Sequence, residues 1–299
     1  MRYKYLIIGL LFALSGCEDV IDVEVPTTEA RLIVNGLLRV DESQQFVPVE
    51  IRVTETNNFF EETPVTSLES AIIIYGQPNP DAPELLDNIA TSSLAESAPG
   101  SGIYIPDPTF DADQRIQTSS LLPGTVFILI VEHKGRRFVA RTPYSKTVPF
   151  DNLVQGNETL FDEDDTEIKI TISDVEDIDN YYVFDFGFGE FLALDDQFID
   201  GQEFEFSYFY QKDLEAGQQV EISILGADQQ FFNYMDLLVE QTLNDGGVFE
   251  TPAATVRGNV FDVTGLDNNL LFDNVNRPED FPLGYFAVVE EFKQTVQIE

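Results

Sequence analysis

The apolar positions in the first half of the chain predict β-strands. From residue 31 onward they alternate with polar positions or form short runs bounded by turn residues, as strands do. Lys134-Gly135 is a pair typical of the tight turn between two hairpin strands. Runs rich in proline and glycine, GQPNPDAP and SAPGSG, are expected to separate other strands. The predicted strands cover residues 31–40, 47–54, 71–75, 102–105, 126–133 and 137–141.

In the second half, aromatic residues recur at every second position in two stretches. Such alternation places the rings on one face of a sheet. One interpretation is a platform on which a sugar or another flat ligand stacks, and the other is the core of a sandwich. The burial preference of Phe and the absence of Trp from the chain favour the core. The rings are Tyr182, Phe184, Phe186 and Phe188, and then Phe204, Phe206, Tyr208 and Tyr210.

One helix is predicted, over residues 228–243. Asp228 is placed to cap its first turn, apolar residues follow at spacings of three and four, and a run of Asn, Asp and Gly ends it. A strand over residues 219–225 precedes the helix, and an irregular loop follows it to about residue 281. The segment GYFAVVEEFKQTVQIE then predicts one or two final strands.

These elements predict a mainly β fold with two sandwich-like domains. The run TPYSKTVPFDN closes the first set of strands and places a boundary near residue 148. The first domain, residues 31–148, has the size and strand pattern of an immunoglobulin-like sandwich. The second, residues 149–299, is predicted to be a β domain on which the helix packs.

Residues 1–16 predict a signal peptide. Arg2 and Lys4 precede an apolar run of nine residues, far short of the roughly 20 that a membrane-spanning helix needs. The run leads into Leu14-Ser15-Gly16-Cys17, which resembles the lipobox of bacterial lipoproteins. That resemblance implies cleavage between Gly16 and Cys17, with lipid attached to the cysteine. Cys17 is the only cysteine of the chain, so a fold stabilised by disulfides is not expected.

Residues 17–30 form an acidic stretch that predicts a tether between the lipid and the first domain. Its acidic residues resemble signals that export some lipoproteins to the cell surface, and they are equally explained as part of a uniformly acidic chain. Cleavage removes two basic residues and leaves 14 against 54 acidic ones. A charge of that sign repels phosphate backbones and anionic lipids. Nucleic acid is therefore not expected as a partner, and membrane attachment depends on the acyl chains.

Several segments together resemble a family of Bacteroidetes surface lipoproteins of unknown function (DUF4249-like), over nearly the whole chain. The resemblance implies a lipid-anchored protein of the outer membrane. Members are often encoded beside TonB-dependent receptors, which implies an accessory role in uptake or assembly. The family provides no catalytic residues to place on this sequence. The segments are the lipobox, RRFVARTPYSKTVPFDN, NYYVFDF, DQQFFNYMDLLVEQ and PLGYFAVV.

Few residues are candidates for catalysis. His133 is the only histidine, so a Ser-His-Asp site would have to be built around it, and it is expected to face solvent. Among 54 acidic residues, no pair stands out as a glycosidase acid and base. The acidic runs 162–165 and 174–179 offer oxygen ligands for calcium, but they lack the spacing of an EF-hand loop. Solvated turns are the favoured interpretation of both runs.

The sequence therefore predicts a non-enzymatic lipoprotein of the outer membrane, exposed at the cell surface. Its expected partner is a TonB-dependent receptor or an outer-membrane assembly, which it would bind through a broad surface and exposed loops. Two alternatives stay open. One is a surface hydrolase of glycans or peptides, which would need a deep cleft with two carboxylates of raised pKa. The other is a structural or adhesive lipoprotein.

Overall fold

The computed structural model describes residues 30–56, 66–160, 165–210, 212, 214–243, 256–265 and 281–299. Within these ranges the fold is mainly β with one α-helix, as the sequence predicts. The predictions for residues 1–29, including the signal peptide and Cys17, lie outside the described residues. The elements are β1 (Leu32–Val40), β2 (Ile51–Glu55), β3 (Ser70–Asn79), β4 (Ala82–Glu96), β5 (Ile103–Pro106), β6 (Val126–His133), β7 (Arg136–Ser145), β8 (Phe150–Gln155), β9 (Thr166–Ser173), β10 (Tyr181–Asp185), β11 (Phe191–Asp195), β12 (Glu203–Tyr210), β13 (Gln219–Ala227), α1 (Gln229–Leu243), β14 (Val260–Asp262) and β15 (Phe286–Gln297).

The first seven strands form a sheet that closes on itself through the start of β15. Neighbours in the order β1-β2-β5-β4-β3-β6-β7 are antiparallel. β15 pairs in parallel with both β7 and β1, and so completes the ring. Alternating side chains such as Val34, Leu38 and Ile73 are fully buried inside it, and Phe286 of β15 joins them.

The second half of the chain forms two sheets that share a core. β11, β10, β13 and the second half of β15 make one sheet, and β12, β9 and β8 make the other. Fully buried side chains such as Ile170 of β9 and Ile222 of β13 lie in one cluster between them. α1 packs on the first sheet, where Phe231 and Met235 join a buried cluster with Leu225. This half therefore has three layers.

β15 belongs to both halves of the molecule. Val288 and Val289 pair with β7, whereas residues 291–297 continue beside β13. At the start of β15, the buried side chain of Asn259 makes the two hydrogen bonds that the main chain of a neighbouring strand would make. Its Oδ1 accepts a hydrogen bond from the N–H of Phe286 at 2.9 Å, and its Nδ2 donates to the carbonyl of Phe286 at 2.7 Å. β15 thus completes a ring whose other seven strands, β1 to β7, lie far earlier in the chain, between Leu32 and Ser145.

Local patterns predicted the hairpin and the helix correctly. Lys134 and Gly135 have φ values of 50° and 69°, which is the backbone of the predicted tight turn. Asp228 caps α1, because its Oδ1 accepts a hydrogen bond from the N–H of Phe231 at 2.8 Å. The last segment forms one strand, β15. In the described ranges, no helix has the length and apolar character of a membrane span.

The sequence pattern did not reveal β4. Only Pro80 and Asp81 separate it from β3, so the run GQPNPDAP is mostly strand and not a spacer. Most side chains in the first half of β4 are exposed, so they show no apolar alternation for a pattern to detect. β14 also lies inside the region predicted as an irregular loop, and β2 begins later than the predicted strand 47–54.

Candidate functional site

His133 is buried, which corrects the expectation that it faces solvent. Its Nδ1 lies 3.1 Å from the main-chain oxygen of Ser67, and its Nε2 lies 3.0 Å from Oε1 of Glu55. Lys134 donates to the same carboxylate oxygen at 2.6 Å. Both ring nitrogens thus contact structural acceptors, and neither contact is the serine hydroxyl that a Ser-His-Asp site requires. The sequence could not show this burial, because Glu55 is 78 residues away.

Most of the alternating aromatic residues belong to the core of the second half or pack against it, as the burial preference of Phe predicts. Tyr182, Phe184 and Phe186 are fully buried. The ring of Phe186 stacks on that of Tyr208, with centroids 3.6 Å apart and planes 6° apart. Tyr210 is also fully buried, and its hydroxyl donates to the carbonyl of Phe186 at 2.6 Å. Rings occupied in this way by one another are not available to stack on a ligand.

Phe188 is the exception to this alternation. It lies in the turn between β10 and β11, where Gly187, Phe188 and Gly189 all have positive φ, an arrangement that is uncommon for a bulky residue. Its side chain is 57% exposed. Nζ of Lys212 lies 3.5 Å from the centre of the ring and 2.6 Å from Oε1 of Glu190. The ring is therefore accessible, but a lysine already lies over one face.

Two loops meet at one end of the second half, between β9 and β10 and between β11 and β12. The N–H of Asp177 donates to Oδ1 of Asp200 at 3.0 Å. Two main-chain bonds also join the loops, from Asp174 to Gln202 at 3.0 Å and from Asp196 to Asn180 at 3.2 Å. We refer to residues 174–180 and 195–202 as the loop-tip surface.

The loop-tip surface contains a cluster of three carboxylates. Asp174, Asp196 and Asp200 each place an oxygen within 4.8 Å of the others, and Asp174 and Asp196 are buried. Asp174 accepts hydrogen bonds from the hydroxyl of Tyr182 and from the N–H of Gly201. Three carboxylates supply part of the six to eight oxygens that Ca²⁺ takes. The run 174–179 contributes only Asp174 to this cluster, and the sequence did not reveal the other two members.

Asp196 is the member of this cluster whose ionised form is disfavoured in the folded protein. Burial raises the pKa of its carboxyl, as do the negative charges of Asp174, Asp179 and Asp200, although a hydrogen bond from the N–H of Asn180 at 2.6 Å opposes the rise. A raised pKa means that the folded state binds this proton more tightly than the unfolded state. Ionisation of Asp196 as the pH rises therefore lowers the stability of the fold.

An Asp196→Asn variant is therefore expected to be more stable than the wild type at neutral pH, by on the order of 1 kcal/mol. The gain should disappear as the pH falls and Asp196 becomes protonated. Urea unfolding between about pH 4 and pH 8 measures this, with the half-exposed neighbour Asp195→Asn as the control. Repeating it with added calcium tests a metal at the cluster. Bound Ca²⁺ would stabilise the wild type selectively and reverse the order of the two proteins.

The loop-tip surface also exposes apolar side chains. Phe198 is 84% exposed, the highest value among the large hydrophobic residues of the described chain, and Ile178 is 55% exposed. Val175 on the same loop as Ile178 is exposed as well. Single exposed apolar residues are ordinary. Here, three exposed apolar side chains belong to two loops that are joined by hydrogen bonds, so one end of the second half exposes more apolar surface than a single residue would.

A cleft of about 410 Å³ lies beside the turn between β6 and β7. In its lining, Arg137 contacts Glu132 at 2.7 Å, and Glu69 accepts a hydrogen bond from the N–H of Gly135 at 2.9 Å. Arg136 contacts the neighbouring Asp262 at 2.5 Å. The guanidinium of Arg137 holds the pKa of Glu132 below its ordinary value, which keeps this carboxylate ionised. A glycosidase acid needs a raised pKa instead, so Glu132 does not suit that role.

A comparison with protein families identifies the family of the chain. A family model described as "Domain of unknown function (DUF4249)" matches residues 18–269. The chain therefore belongs to this family, which confirms the resemblance found in the sequence. No curated protein matches it.

Proposed function

We propose that this protein is a non-enzymatic lipoprotein of the outer membrane, anchored through Cys17 and exposed at the cell surface. It acts as the binding partner of a TonB-dependent receptor or of an outer-membrane assembly. The lipid anchor is supported by the run Leu14-Ser15-Gly16-Cys17, which resembles a lipobox. The receptor is suggested by the gene neighbourhood of the lipoprotein family that the sequence resembles.

The loop-tip surface is the observation that supports a binding role most directly. Phe198 and Ile178 expose apolar area to water in the isolated chain, and contact with another molecule would remove it. A hydrolase is less well supported, because the histidine is held by structural contacts and Glu132 of the cleft stays ionised. The contacts of His133 and the ionised state of Glu132 therefore support binding over hydrolysis at these two residues.

Co-purification tests the proposal. The tagged, lipidated protein is extracted from outer membranes in mild detergent, and the receptor encoded beside it is quantified in the purified sample. We expect the receptor in a defined ratio to the lipoprotein, as a stable interface predicts. Recovery of the lipoprotein alone, even after chemical cross-linking, would contradict the proposal. It would favour the adhesive alternative if loss of the protein also weakened surface attachment without affecting growth.

A further inference from the structure

We infer that the loop-tip surface, residues 174–180 and 195–202, is the docking site for that partner, and that the partner presents an apolar socket surrounded by basic side chains. The inference rests on the proposed function, and it adds the location of the contact and the chemistry of the surface that receives it.

Hydrogen bonds fix the backbone of the two loops that carry the apolar side chains. The N–H of Asp177, the residue before Ile178, donates a hydrogen bond to Asp200 of the other loop. The N–H of Asp196 donates to the carbonyl of Asn180 and so joins the start of the second loop to the end of the first. Within the second loop, the N–H of Ile199 donates to the carbonyl of Asp196 at 2.8 Å, so the residues around Phe198 form a closed turn. Phe198 and Ile178 are therefore displayed by an ordered backbone, which reduces the entropy lost on binding.

The exposed ring of Phe198 is expected to lie at the centre of such an interface. Phe198 can bury almost its whole side chain on contact, because 84% of it is exposed. Aromatic side chains that fill a pocket on the partner contribute a large share of binding energy at protein interfaces. Ile178 and Val175 are exposed apolar side chains on the adjoining loop.

The charge of the surface indicates the complementary chemistry. The two segments contain seven acidic residues and no Lys, Arg or His, and the side chains of Glu176, Asp177, Asp179 and Asp200 are exposed. An acidic rim around an apolar centre is complementary to a basic rim around an apolar socket, and such charges increase the rate of association. A membrane of anionic lipids would be repelled by the same carboxylates. A protein with basic side chains is thus the favoured occupant.

A pair of double variants tests the inference in the full, lipidated protein. Phe198→Ser with Ile178→Ser removes the apolar centre. Leu85→Ser with Ile89→Ser is the matched control, because these residues lie on β4 and are 52% and 59% exposed. All four positions are exposed, so both variants should unfold at the wild-type temperature. We expect about a tenfold loss of co-purified receptor for the loop-tip variant and no loss for the control.

Salt provides the second measurement. Receptor binding by the wild type should weaken between about 0.05 M and about 0.5 M NaCl, because salt screens the acidic rim from its basic counterpart. Equal receptor recovery with the wild type and the loop-tip variant would overturn the inference and leave the proposed function intact. Absence of the receptor from the wild-type sample would overturn both.

Vesicles distinguish a lipid surface from a protein. The Cys17→Ala chain prepared without its signal peptide, residues 1–16, lacks both the lipid and the apolar run, and it is mixed with vesicles of phosphatidylcholine and phosphatidylglycerol and sedimented. We expect no sedimentation with or without the loop-tip substitutions, because the carboxylates oppose anionic lipid. Binding that disappears with the Phe198→Ser substitution would identify a membrane as the occupant and overturn the inference.

Discussion

A Cys17→Ala variant is expected to lose its acyl label and to become soluble or stay unprocessed. The thiol of Cys17 is the only one in the chain, so no other cysteine can receive the lipid. With the proposed lipid on Cys17, several acyl chains at about 0.8 kcal/mol per buried methylene would make attachment effectively permanent, and the substitution would remove all of them. Labelling with radioactive palmitate, followed by fractionation of membranes, measures both effects in one experiment.

The negative charge of the protein makes the loss of membrane attachment easy to detect. With 54 acidic residues against 16 basic ones, the chain has no electrostatic attraction to an anionic membrane that would hide the loss of the lipid. Ser15→Ala is the matched control, because it keeps a small residue before the cleavage site and should be labelled and retained as the wild type is. Normal retention of the Cys17→Ala protein would show that something other than lipid attaches it.

Features determined by neighbouring residues could be predicted from the sequence. The turn at Lys134-Gly135 needs positive φ at two successive residues, and Gly supplies one of them at low cost. The start of α1 depends on Asp228 and the N–H three residues later. The burial of Tyr182 and Phe184 agrees with the apolar character of rings that share one face of β10.

Features determined by distant residues could not be predicted. The carboxylate cluster joins Asp174 to Asp196 and Asp200 only because two loops meet, and a uniformly acidic sequence contains many runs that look the same. The closure of the first sheet by β15 joins Val288 to Tyr144, which are far apart in the chain. The loop-tip surface was missed for the same reason, since a lone Phe198 in an acidic run gives no sign that it is exposed.

A Phe186→Ala variant is expected to lose about 4 kcal/mol of its free energy of unfolding, within the range measured for the removal of buried Phe side chains. Phe186 is fully buried, and its ring contacts those of Phe184, Tyr208 and Tyr210. The substitution leaves a cavity in a core that strands from both sheets enclose, so the neighbours cannot close it fully. Urea unfolding measures the loss as a lower midpoint with an unchanged slope.

Phe188→Ala is the matched control, because Phe188 follows two positions later in the same alternation and is 57% exposed. Its removal costs the cation–π contact with Lys212 and an edge-to-face contact with the ring of Tyr210, together about 1–2 kcal/mol for a partly exposed ring. The contrast between the two variants separates a core from a ligand platform. If the buried rings served a ligand and not the fold, Phe186→Ala would unfold at the same urea concentration as Phe188→Ala. A large difference, with Phe186 the more costly, is what the stacked arrangement with Tyr208 requires.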